Sequence, residues 1–320
     1  METVERKKRT PRQHAYIVGT GAAMGAADVV PGVSGGTMAF IMGVYEELID
    51  AIKSFNLTFL RLLFSGRFRA AFDYVNGTFV LALGAGLGTA ILSLARVLSW
   101  LLEHQREYLF AFFFGLILAS ILAVSAHVRW RLPMWGTLVG GSVVAFWLAG
   151  LAPSAPLESP SALHLFLGGA VAISAMLLPG VSGALILLTL GLYDFLIAAV
   201  KSLDVGAVVP AVAGMVAGIM LFARLLSWLL KRYHQVTVTL LIGFMIGSLR
   251  VIWPFKTVVE TRIDRHGDEV PAVMENILPQ AADVSIGLAL SLCLAGFLLI
   301  SVLDHLQSKS NPVLRWAWKA

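Results

Sequence analysis

Charge is scarce in this 320-residue sequence: Asp, Glu, Lys and Arg make up 13% of it, against 58% hydrophobic residues. A soluble domain carries about 25% charged residues and covers its surface with them. Cysteine is scarcer still. The single Cys293 excludes an intrachain disulfide and a cysteine-built metal cluster. The seven histidines are scattered, with no metal-ligand spacing among them, and no phosphate-cradling nucleotide loop is present. This argues against an ATP-driven pump, and no cofactor or metal is expected. A cleaved leader is not expected either. The basic N-terminus is followed by an apolar stretch that holds Asp28 and runs on without an obvious end.

What the chain does contain is long apolar runs. The mean hydropathy is +0.82, and several runs reach about 20 residues, the length that crosses a hydrocarbon core about 30 Å thick. The composition is that of an all-α, polytopic integral membrane protein. Its formal net charge of +5 reads as topogenic charge, with no nucleic-acid partner.

Two short sequences punctuate the apolar runs: Pro31-Gly32-Val33-Ser34-Gly35-Gly36 and Pro179-Gly180-Val181-Ser182-Gly183. Proline removes a backbone donor and clashes with the preceding turn, so a helix stops there and a new one starts after it. Each break separates two pieces of about 15 residues, near 22 Å as helix and short for a crossing. Residues 53–76, with Lys53, Arg61, Arg67 and Arg69 among Phe and Leu, form an amphipathic insert at the membrane surface. Full spans are expected at about 77–101, 108–126, 134–152, 206–230, 236–253 and 281–303, six in all. A long, mostly polar loop covers 254–280.

The chain is a duplication. A shift of 148 aligns 31–54 with 179–202, where 12 of 24 positions are identical, including Gly43/Gly191, Tyr45/Tyr193 and Lys53/Lys201. A shift of 128 aligns 95–102 with 223–230, seven of eight identical, Arg96 falling on Arg224. The expected organisation is a basic tail over 1–13, a first repeat over 14–152, an external loop over 153–162, a second repeat over 163–303 and a tail over 304–320.

Charge sets the threading. If both broken segments re-enter on the side they left, 16 of the 21 Lys and Arg outside the spans fall on the cytoplasmic side; if both cross, 11 do. The re-entrant arrangement is the expected one. It leaves three crossings per repeat, so the second repeat is inverted and both termini are cytoplasmic.

A helix that starts inside the membrane presents backbone N–H groups without intrahelical partners, and the positive end of its dipole. Such starts hold phosphate or carboxylate. Gly32, Val33, Ser34, Gly35, Gly36 and Thr37 at the first break, and Gly180, Val181, Ser182 and Gly183 at the second, are the candidate phosphate-binding residues. The plainer account of the same residues is a kink that lets helices pack closely. Arg96 and Arg224, charged groups within spans, are expected to face an interior cavity and add bidentate phosphate contacts, or else to snorkel. Asp28 is a candidate for proton coupling or a helix cap; its counterpart is Met176. Two other functions remain open. The same half-helices would serve a small-anion channel or exchanger. Gly32-Val33-Ser34-Gly35 also matches the Gly-x-Ser-Gly of rhomboid proteases, but every histidine lies in a loop or at a segment end, away from a serine that needs a base.

Asp28 to Thr37, together with Leu178 to Gly183 followed by Gly191-Leu192-Tyr193-Asp194, resembles the bacterial PopT family of polyprenyl (undecaprenyl) phosphate transporters. The resemblance extends over about residues 14–305. It implies a plasma-membrane flippase, not an enzyme, that returns the carrier lipid to the inner leaflet for peptidoglycan and surface-polymer synthesis. It also implies inverted repeats with re-entrant helices, and a phosphate site on the two motifs and Asp28. The second motif has Ala184 where the first has Gly36, so the symmetry of the two cradles is expected to fail there.

Overall fold

A computed structural model of the chain describes residues 9–30, 34–151, 154, 156–263, 269–279, 286–308 and 311–314. Pro31, Gly32, Val33 and most of the expected N-terminal tail lie outside the described residues. The first broken segment is α1 (Pro11–Val29), α2 (Gly35–Ile41) and α3 (Tyr45–Ser54). A capping box formed by Thr10 and Gln13, with Pro11 in the first turn, starts α1 three residues inside the expected tail. The insert follows as α4 (Leu57–Phe64) and α5 (Phe68–Tyr74), then α6 (Gly77–His104), α7 (Arg106–Ser125) and α8 (Leu132–Leu148). The second repeat is α9 (Ala162–Met176), α10 (Gly183–Thr189), α11 (Tyr193–Lys201), α12 (Val205–Arg232) and α13 (His234–Ser248). After β1 (Lys256–Ile263) and β2 (Glu269–Asn276), the helix α14 (Ile286–Ser308) completes it.

The duplication holds at the level of backbone. Shifted by 128, α6 and α12 coincide end to end, and the residues that precede α7 and α13 share one conformation, φ −142°, ψ 38° at Gln105 and φ −131°, ψ 46° at Tyr233. Shifted by 148, α2 coincides with α10.

The second arm of each broken segment is not one helix of about 15 residues. A further bend, 107° between α10 and α11, divides it. Gly43 and Gly191 sit at φ 67° and 68°, a left-handed conformation that costs glycine nothing. In the first repeat Val44 N bonds Ala39 O at 3.0 Å and Gly43 N bonds Phe40 O at 3.2 Å; Leu192 and Gly191 repeat the pattern on Leu187 and Leu188. Both are Schellman ends that terminate the short helix.

Helix pairing follows the repeat. Within each repeat α1 packs on α6 and α9 on α12; between repeats α7 packs on α14 and α13 on α8. Matched glycines make these contacts close. A Cβ on Gly86 would stand 1.9 Å from Val18 O, and one on its counterpart Gly214 1.9 Å from Phe166 O. Gly115 would meet Cys293 O at 1.8 Å and its counterpart Gly243 would meet Leu138 O at 2.4 Å. Small residues at these crossings let backbones touch, the packing available where lipid gives no hydrophobic drive between helices. α7 and α13 contact each other and hold the centre of the core, with Ile117, Leu241, Ile242 and Met245 at most 1% exposed.

The structure is that of a helical membrane protein, with three departures from the reading above. Among the described residues four helices, α6, α7, α12 and the α14 segment, are long and apolar enough to cross, or five if the bent α10–α11 pair counts as one span. α8 and α13, with 17 and 15 residues, stop short of the expected spans at 152 and 253. The 254–280 loop is not irregular: β1 and β2 pair antiparallel, Lys256 opposite Asn276 and Thr261 opposite Pro271, so the fold is not wholly α. The expected insert is present as two short helices, the first ended by Gly66 at φ 73°.

Candidate functional site

The two breaks meet in the core, joined by three hydrogen bonds between repeats. Ser34 Oγ donates to Met176 O at 3.1 Å, Gly180 N donates to Thr37 Oγ1 at 2.8 Å, and the Tyr45 hydroxyl donates to Leu177 O at 2.6 Å. Ser34, Thr37 and Tyr45 are at most 2% exposed. The carbonyls they hold belong to the last turn of α9, where helix termination leaves acceptors without intrahelical donors. Side chains of the first repeat thus complete the broken helix of the second.

The first helix start is closed by its own chain. Asp28 Oδ1 accepts from Gly35 N at 2.6 Å, and Ser34 Oγ accepts from Gly36 N at 3.1 Å. Neither glycine could carry a side chain here: a Cβ on Gly35 would lie 2.6 Å from Asp28 Oδ2 and one on Gly36 2.9 Å from Met176 O. The second start differs. Ser182 makes no side-chain capping bond, Met176 stands where a carboxylate would be, and Ala184 is exposed. The Gly36/Ala184 mismatch is therefore steric. Only the first start is pressed against the opposite repeat.

Gly180, at φ 85°, would put a Cβ 2.7 Å from Phe244 O, so glycine is required there on both counts. Val181 is buried, and Ser182 and Gly183 are half-buried. Gly32 and Val33 lie outside the described residues.

The arginines do not join this cluster. Arg96 and Arg224 are both exposed, on α6 and α12. The buried face of α12 near Arg224 is Ala223, Leu226, Ser227 and Leu230, and Arg224 lies beside that face rather than on it. Both arginines are thus exposed and stand apart from the two breaks. Tyr45 and the carbonyls of Met176 and Leu177 were not among the expected site residues, although the identity of Tyr45 and Tyr193 across the repeat was a signal for the first.

The arrangement can hold an oxyanion through backbone N–H groups and hydroxyls, and it already holds one, the Asp28 carboxylate. Ser34 has main-chain partners on both sides, which suits it to binding and orientation.

Residues 24–270 match the family described as undecaprenyl phosphate translocase-like. The chain belongs to that family. This translocase-like match takes in both breaks, Asp28, Arg96 and Arg224. A polyprenyl-phosphate transporter of Vibrio cholerae is 40% identical over 260 residues, 81% of this chain and 84% of the relative. A polyprenyl-phosphate transporter of Staphylococcus aureus is 28% identical over 251 residues, 73% of this chain and 84% of the relative. No solved structure matches.

Proposed function

We propose that this protein moves a polyprenyl phosphate, undecaprenyl phosphate in the first instance, between the leaflets of the bacterial plasma membrane. Net movement returns the lipid carrier to the inner leaflet for peptidoglycan and surface-polymer synthesis. The observation that carries this reading is the meeting of two repeat-related helix breaks, Thr37 on Gly180 and Ser34 on Met176, in a chain of the translocase-like family. Broken helices paired across a repeat are where transporters bind their cargo.

In this reading each broken segment is a re-entrant hairpin, the repeats are inverted, six helices cross, and both termini are cytoplasmic. The phosphate binds by hydrogen bonds, with no covalent step, and the polyprenyl tail stays in lipid between helices. The second helix start, at Ser182 and Gly183, takes the head group first, because no side chain caps α10 there. At the first start the phosphate competes with Asp28 for Gly35 N, so arrival of the lipid displaces a carboxylate. That exchange is where a proton would couple to transport, taken up by Asp28 as its donor is lost. Arg96 and Arg224 each lie eight residues before the end of their helix, about 12 Å along the axis. In inverted repeats this puts one near each leaflet, where an exposed guanidinium meets the head group before hand-off.

The test is leaflet exchange of undecaprenyl phosphate in vesicles holding the purified protein. Ser34→Ala should slow exchange without abolishing it, and Arg96→Ala with Arg224→Ala should raise the lipid concentration needed for half-maximal rate. A wild type that conducts chloride but does not exchange the lipid would replace this reading with a small-anion pathway.

A further inference from the structure

A polar latch joins the first hairpin to the second repeat. α3 packs on α12, and Asp50 is the centre of the contact. Ser227 Oγ donates to Asp50 Oδ1 at 2.9 Å, Lys231 Nζ donates to both carboxylate oxygens at 2.9 Å, and Lys53 Nζ donates to Ser227 Oγ at 3.2 Å. Beside it, His234 Nε2 lies 2.9 Å from Glu46 Oε1.

The repeat gives every member a counterpart. Glu46, Asp50 and Lys53 of α3 fall on Asp194, Ala198 and Lys201 of α11; Ser227, Lys231 and His234 fall on Ser99, Glu103 and Arg106. α11, however, does not pack on α6 as α3 packs on α12. One pair of helices is packed together and the twin pair is not.

The twin set is chemically competent to engage. Closing α11 onto α6 in the geometry of α3 on α12 brings Asp194 to Arg106, where Glu46 meets His234. It brings Lys201 to Ser99, with Glu103 in the place of Lys231. The acid of the first latch is on the hairpin and its base on the long helix; in the twin, Ala198 replaces the acid while Glu103 replaces the base. Charge has changed element, yet an opposite pair remains.

We infer that Lys201–Glu103 and Asp194–Arg106 are the latch of a second conformation, in which α11 closes on α6 as α3 leaves α12. The inference rests on the carrier reading, because a carrier built from two opposed repeats works by exchanging their arrangements. Ion pairs this exposed are individually weak, as a reversible latch requires. Arg106, whose Nη1 now donates to Met274 Sδ at 2.9 Å, gives up that contact in the exchange.

Cross-linking in vesicles tests the latch without reference to which lipid is carried. In a Cys293→Ser background, Glu103→Cys with Lys201→Cys, and Asp50→Cys with Lys231→Cys, are treated with a short bis-thiol reagent. Both pairs should cross-link, and prior locking of 50 to 231 should cut the yield at 103–201 at least fivefold. Equal yield at 103–201 with the first pair locked, or no yield there at all, overturns the proposal. If cysteine perturbs the fold, charge exchange replaces it. Lys201→Glu and Glu103→Lys should each slow lipid exchange severalfold and restore it together, and failure of that rescue also overturns the latch. A chain that cross-links as expected but moves no polyprenyl phosphate would keep the latch and remove the lipid assignment.

Discussion

Replacing Asp28 by Asn should weaken the fold and strengthen phosphate binding at the same time. In the resting structure Asp28 Oδ1 accepts from Gly35 N at 2.6 Å. A hydrogen bond to a charged acceptor contributes about 1.5–3 kcal/mol. Asn keeps the oxygen but not the charge, and neutral bonds are roughly half as strong, so the unliganded fold should lose about 1–1.5 kcal/mol. The same amount is what an incoming phosphate no longer has to displace, and a like charge beside it is gone as well. At about 1.4 kcal/mol per factor of ten, affinity should rise about fivefold to tenfold. Asp28→Ala should move both quantities further in the same directions. The assay is a pair of measurements on detergent-purified protein: the unfolding midpoint without ligand, and the Kd for a short-chain polyprenyl phosphate. Opposite signs are the signature of a resident anion that the substrate replaces. If Kd weakens together with stability in both variants, Asp28 supports the site instead of occupying it, and the displacement mechanism is wrong.

Other expected outcomes are simpler to read. Thr37→Val keeps the shape but leaves Gly180 N without the acceptor it has at 2.8 Å; a loss of about 1–3 kcal/mol in denaturant unfolding is expected, and Thr37→Ser should restore most of it. Gly115→Ala and Gly243→Ala should each cost about 1–3 kcal/mol by forcing paired helices apart, whereas Gly84→Ala, with open space around it, should cost nothing measurable by thermal unfolding. Lys256, outside the membrane segments, is pushed down from 10.5 to about 8 by burial and then by Arg250 and Arg106. The fold therefore favours the neutral amine. Between pH 8 and 10.5 the unfolded chain holds the extra proton and stability rises with pH; below pH 8 both states are protonated and that gain is absent. Acylation of Lys256 followed against pH should show a midpoint near 8, moved upward by Arg106→Gln; a midpoint at the ordinary lysine value in the parent would refute the burial argument.

The breaks were legible because proline and glycine carry their meaning locally, wherever they fall in a helix. The duplication was legible because Arg96-Val97-Leu98-Ser99-Trp100 and its copy do not match by chance among leucines and alanines. The second bend was written in the aligned pair Gly43 and Gly191, but it takes the Schellman bonds to Ala39 and Leu187 to distinguish a terminating glycine from a packing one. The β1–β2 hairpin also had a signal, two runs rich in Val and Thr flanking Gly267-Asp268, masked by the charges between them. The side on which Arg96 and Arg224 stand depends on which face of the long helix is covered. That follows from the partner helix, although Ala223, Leu226, Ser227 and Leu230 trace the covered stripe at helical spacing. The capping of Gly35 by Asp28 spans seven residues and a break, beyond the reach of any local rule.

The pairing of α7 with α14, and of α13 with α8, bears on how the protein is made. Neither half of the chain contains the partner for its own last two helices. During synthesis α7 and α8 enter the membrane with Gly115 and Gly141 uncovered, and they wait for the second half of the chain to emerge. The first half should therefore be held by insertion factors and degraded if translation stops near residue 160. Two separately expressed halves should find each other in the membrane and assemble. A half-length chain with the same pairing would need a second copy of itself to supply those partners.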